Sequence, residues 1–162
     1  RDFCLSRGLG DVYKRQLRNR AWVIALTETK LKFGGSDRFA DEVCRYDGYQ
    51  NTYELNAYSD KAFAAATYCY TYAPVSSGSG SSGWYLGAEY EFMRIHSNRT
   101  KINAALSKLS KTQMSTSTDA YWTSTEYNIS EAYSSKRVND VQGELNHVSK
   151  NNILRVRCIM EI

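Results

Sequence analysis

The chain has 162 residues, 42% of them hydrophobic, with thirteen tyrosines and a single proline. That composition describes a folded, polar-surfaced domain with enough length to bury a core, and it excludes intrinsic disorder. No run is long and apolar enough to cross a membrane as a helix, and the formal net charge is only +4.

The first sixteen residues are set apart before the rest is read. Ser6 to Gln16, SRGLGDVYKRQ, reads in one frame as a translated transposase-based sequencing-library adapter. Arg1 and Asp2 fit the flanking primer, and Phe3, Cys4 and Leu5 fall where a variable index would sit. Residues 1–16 are therefore excluded from fold reasoning. One domain is expected over 17–162, from a gene fragment truncated at its start. Leaving out four basic and two acidic residues lowers the net charge to about +2, which removes the electrostatic case for a nucleic-acid partner.

In chain order, Ala21 to Leu26 (AWVIAL) predicts a short buried strand, broken by Gly34, Gly35 and Ser36. Residues 37–51 are ambiguous: Phe39, Val43 and Tyr46 share one helical face, and Asp47-Gly48 marks a turn. A helix is predicted from about Asp60 to Tyr70, capped by Ser59 or Asp60, with Ala62, Phe63, Ala66 and Tyr70 inward. SSGSGSSG, Ser76 to Gly83, has linker composition. The roughly sixty native residues before it would make a marginal core alone, so it reads as a long loop inside one domain.

Trp84 to Leu86 predicts a short strand and Ala88 to His96 a helix. A second helix spans Thr100 to Leu109, with Ile102, Ala105, Leu106 and Leu109 at the spacing of one buried face. Tyr121 to Tyr127 alternates like a strand, with Trp122, Ser124 and Glu126 opposite Tyr121, Thr123 and Thr125. Gln142-Gly143 offers a hairpin turn, and Leu154 to Met160 a closing strand. Alternation in that strand places Val156, Cys158 and Met160 in the core and Arg155 and Arg157 on the other face. Cys44, Cys69 and Cys158 lack zinc-ligand spacing, so buried free thiols are the default and a Cys69–Cys158 bridge the sharper alternative. Helices followed by a β-rich half predict an α+β class, with the first and last strands paired.

GWYL (Gly83 to Leu86), INAALSKL (Ile102 to Leu109), YWTSTEY (Tyr121 to Tyr127), EAY (Glu131 to Tyr133), the spaced Gly143 and Lys150, and VRC (Val156 to Cys158) carry a resemblance. Together they resemble the FISUMP-type bacterial surface proteins, a family similar to C-type-lectin-like domains, including variable proteins diversified by retroelements. The likeness runs from about Ala21 to Ile162. It implies a C-type-lectin-like fold of two main helices and a small mixed sheet, with a ligand-binding C-terminal face. In diversified members the exposed positions of that segment vary among Asn, Tyr, Ser, Asp and His. The corresponding positions here are Tyr127, Asn128, Ser130, Tyr133, Ser135, Asn139, Asn146, His147, Asn151 and Asn152. Tyr offers large contact area at low entropic cost, while Asn and Ser offer adaptable hydrogen bonds.

The chain also departs from the family pattern. Gly87 stands where Pro usually follows, Tyr133 where Trp is common, and the C-terminal aromatic is replaced by Met160-Glu161-Ile162. The interval to Gly143 is longer, which leaves the register of Lys136 to Val141 open. The only proline is Pro74, and the nearest relic of a calcium-binding motif is Val138-Asn139-Asp140, with Glu144 beyond it, so neither metal nor cofactor is expected.

The expectation is a non-enzymatic adhesion or recognition domain at the bacterial surface, meeting a protein or carbohydrate ligand through its Tyr/Asn/Ser-rich face. The alternative is a structural subunit or tip domain of a surface appendage. Catalysis is the weaker reading. Formylglycine-generating enzymes need paired active-site cysteines, and the C-terminal half has only Cys158. A hydrolase built from Ser124 with His147 or His96 lacks nucleophile-elbow spacing.

Overall fold

The computed structural model describes residues 20–58, 60–116, 119–138 and 142–162, without the side chains of 136–138 and 142–145. Residues 1–16, Asn139 and Asp140 fall outside these. The chain is α+β. Strands β1 (Trp22–Ile24) and β2 (Thr29–Lys32) come first. Four helices follow: α1 (Gly48–Ala57), α2 (Ala64–Tyr70), α3 (Glu89–Ser97) and α4 (Arg99–Lys108). The rest is β3 (Tyr121–Glu126), β4 (Glu131–Val138), β5 (Gln142–Ser149), β6 (Ile153–Val156) and β7 (Ile159–Glu161).

Five strands form one sheet in the order β2-β6-β3-β4-β5, while β1 and β7 form a second. The β1–β7 pair is antiparallel with Val23 opposite Met160, so the early and late strands close the domain as expected. The predicted closing strand is really two: β6 pairs with β2 and β7 with β1.

β3 forms where the alternation predicts it, with a register shift between Trp122 and Glu126, and all six of its residues are buried because both faces are covered. Trp122 packs edge-on against Phe33, their centroids 5.4 Å apart, and Tyr121 packs against Phe92 at 6.1 Å. Burial of side chains of this size contributes about 1.5–3 kcal/mol each.

Gln142-Gly143, read as a hairpin turn, lies inside β5, paired with Val138 and Arg137 of β4, and four further sequence expectations need correction. First, α1 begins at the Asp47-Gly48 turn and runs through residues given no element, because its pattern is inverted: Asn51, Thr52 and Leu55 are buried while Tyr49 and Tyr53 are exposed. Hydrogen bonds make that burial tolerable, as Asn51 donates to the carbonyls of Cys44 and Ser124 and Thr52 to that of Leu86. Second, α2 starts after Phe63, which is buried with Ala66, but Tyr70 is 41% exposed. Third, α4 buries Arg99, Asn103 and Leu106 and leaves Leu109 58% exposed. Asn103 takes an inward position because its amide clamps Met114, accepting from its N–H at 2.7 Å and donating to its carbonyl at 2.9 Å.

Fourth, Arg157 is fully buried rather than solvent-facing. It donates to Glu28 and to the carbonyls of Ala25 and Thr112. Cys158 lies in the core as read, but bonded to Cys69, which replaces the free-thiol default with the alternative bridge.

Candidate functional site

The β3–β4 turn is built by one side chain. Asn128 Oδ1 accepts from the backbone N–H of both Ser130 and Glu131 at 2.8 Å, and its Nδ2 donates to the Glu131 carboxylate at 3.0 Å. Such Asx geometry is what makes asparagine a turn residue. The turn holds Tyr127 at the strand end, 45% exposed.

Across the β4–β5 ladder, Tyr133 and His147 stand directly opposite. Tyr127 stacks on His147 with centroids 3.7 Å apart and planes 9° from parallel, and the edge of Tyr133 meets Tyr127 at 5.6 Å. His147 Nδ1 lies 3.4 Å from the Glu131 carboxylate.

The patch continues onto residues that sequence reasoning missed. Arg45, paired through two nitrogens with the buried Glu89, lies 4.8 Å over Tyr90 and 5.8 Å over Tyr133. Tyr90 stacks in turn on Tyr46 at 4.4 Å. Hydrogen bonding to Glu89 raises the Arg45 pKa and holds it charged. Burial, then the hydrogen bond with Tyr90, pushes the Tyr46 hydroxyl up to about 12. Burial, then the charge of Glu89, also raises Tyr133. The result is an aromatic ladder with one fixed cation, each ring preferring the other's edge or an offset face. Nothing in local sequence links Arg45 to Tyr133.

Beneath this surface lies a fully buried ion pair. Lys150 Nζ donates to Glu126 Oε1 at 2.6 Å, to the Arg38 carbonyl at 2.8 Å and to the Ile129 carbonyl at 3.2 Å. Glu126 Oε2 accepts from the N–H groups of Ala40 and Glu42. Both ions are thereby satisfied, the condition under which a buried pair is tolerated. Burial lowers the Lys150 pKa, and Glu126 opposes that shift.

Of the ten expected contact positions, Tyr127, Asn128, Ser130, Tyr133 and His147 come together. Asn146 is exposed on β5, and Asn151 and Asn152 are exposed on the following turn. Ser135 is wholly buried opposite Tyr121, where the sheet is covered, and leaves the contact set. Asn139 is outside the described residues.

Ser124 is fully buried, its hydroxyl accepting from Asn51 at 3.3 Å. His96 is buried between Phe92 and Tyr121, and burial, then the charge of Arg99, lowers its pKa to about 4. Among the described residues no three His, Cys, Asp or Glu side chains are grouped to hold a metal ion. Nor is any described helix long and apolar enough to cross a membrane.

No protein-family model matches the chain, and no curated protein matches it. Its fold is similar to that of a fimbrial protein from Bacteroides ovatus ATCC 8483, with a TM-score of 0.69 and 23% identity. The likeness covers 86% of this chain and 35% of the fimbrial one, so the chain spans about a third of that protein's length.

Proposed function

We propose that the chain is a non-enzymatic domain of a bacterial surface-appendage subunit, with a C-type-lectin-like fold of the FISUMP type. The observation that carries this reading is the fold shared with a fimbrial protein over 86% of the chain. Pairing of the terminal strands, and a face built on the β3–β4 turn and the β4–β5 ladder, support the lectin-like assignment. A cell-surface location belongs to the same proposal. In this reading the Tyr127, Tyr133 and His147 ladder packs against a neighbouring subunit.

A second reading is recognition of a protein or carbohydrate ligand through that ladder. It is favoured by the exposure of Tyr127 and by the Asn128 turn that fixes its approach.

The double variant Tyr127→Ala/Tyr133→Ala separates the two. Loss of incorporation into the appendage with unchanged retention on glycan and protein arrays supports the subunit role. Loss of array binding with normal incorporation supports recognition and removes the packing role. A hydrolytic turnover abolished by His147→Ala would overturn the non-enzymatic reading.

A further inference from the structure

A second surface, lined by none of the residues of the aromatic ladder, follows from the loop with linker composition. The loop is fixed rather than slack. Ser81 donates its N–H at 3.1 Å and its hydroxyl at 2.8 Å to the Gly78 carbonyl, and Trp84 Nε1 donates to the Gly80 carbonyl at 2.7 Å. Gly78, Gly80 and Gly83 all take positive φ, which explains why glycine recurs there. A Cβ on Gly78 would meet nothing within 4 Å, so the backbone there stands open to solvent.

Between this loop and β7 lies a cleft of about 560 Å³, within the range of small-ligand sites. Its aromatic wall is Tyr49, 49% exposed and edge-on to Tyr85 at 5.8 Å. Ser79 and Ser82 bring hydroxyls, and Met160 an apolar floor. Glu161 is the one charged side chain among the described lining residues, and Arg20 neutralises it through a paired hydrogen bond. Tyr53, one helical turn beyond Tyr49 and on the order of 6 Å along α1, is 47% exposed and meets Tyr70 edge-on at 6.3 Å. The exposed rings therefore continue out of the cleft.

We infer that this cleft binds a neutral oligosaccharide. Pyranose rings have apolar faces that suit exposed tyrosine rings, and hydroxyls that suit Ser79, Ser82 and the oriented Glu161 carboxylate. The track from Tyr49 to Tyr53 offers a second platform to the next sugar unit. With Glu161 already matched by Arg20, the lining offers no spare cation to an anionic ligand.

The test is a glycan array carrying neutral and sialylated oligosaccharides, probed with the full chain, followed by titration of the best neutral hit. Retention of neutral glycans is expected. Tyr49→Ala should weaken binding at least about tenfold, and Tyr49→Phe should stay within about twofold because the ring is kept. Leu109→Ser, at the exposed C-cap of α4, should change nothing. Circular dichroism confirms that each variant is folded. Failure of the wild-type chain to retain any neutral oligosaccharide, a preference for sialylated ones, or equal affinity in Tyr49→Ala would overturn the inference.

Discussion

Lys150 shows how a single residue can hold a surface it does not belong to. Its ammonium uses its three donors on Glu126, Arg38 and Ile129, while its own N–H donates to the Ser130 carbonyl. One side chain thus ties the loop at 38–42 and both turns beneath the aromatic ladder. Replacing it with methionine leaves the Glu126 carboxylate buried without its cation. Lys150→Met is expected to lower the unfolding free energy by about 3–5 kcal/mol in urea titration at neutral pH. Lys150 was visible as one of the spaced residues carrying the family resemblance. Its partner was not, because Glu126 reads in sequence only as one more alternating position of β3. Arg45 and Arg157 pose the same problem, since the carboxylates that determine their surroundings are distant in sequence.

Among the helices, α1 is the one hidden from periodicity. The helix read at Ala88 to His96 nearly matches the bounds of α3, whose buried face mixes Phe92 and Ile95 with Glu89, Glu91 and His96. In α1 the buried face carries Asn51 and Thr52, and the exposed face carries tyrosines. Its start was legible, but as a turn. Asp47 caps the helix by accepting from Gln50 N–H at 3.0 Å, and Gly48 is its first residue. The glycine is required by close approach rather than by φ. A Cβ there would sit 2.4 Å from Glu91 Oε2, 2.5 Å from Ala88 N and 2.7 Å from the Leu86 carbonyl. In an exposed helix, Gly→Ala stabilises by up to about 1 kcal/mol. Here Gly48→Ala should instead destabilise by about 1–3 kcal/mol, since two of the three obstructing atoms are backbone. A thermal melt gives the sign directly, and a rise in Tm would refute the packing argument.

For the whole molecule, the Cys69–Cys158 bridge joins α2 to the junction between β6 and β7, across 89 residues of sequence. In the chain-entropy model, closing a loop of that length contributes about 4–5 kcal/mol. The Cys69→Ala/Cys158→Ala variant should lose stability of that order by chemical denaturation, while oxidised protein shows no further change on adding an oxidant. The sequence by itself determined the α+β class, the inward position of Cys158, the pairing of the first and last strands, and most of the residues on the aromatic surface. These follow from local periodicity, or from a resemblance carried by short motifs. Only the tertiary structure decided which cysteines pair, that Arg157 and Ser135 are buried, that Arg45 and Tyr90 extend the surface, and that a serine and glycine loop shapes a cleft. Each of those depends on what covers a residue from elsewhere in the chain, and neither spacing nor composition encodes a neighbour dozens of residues away.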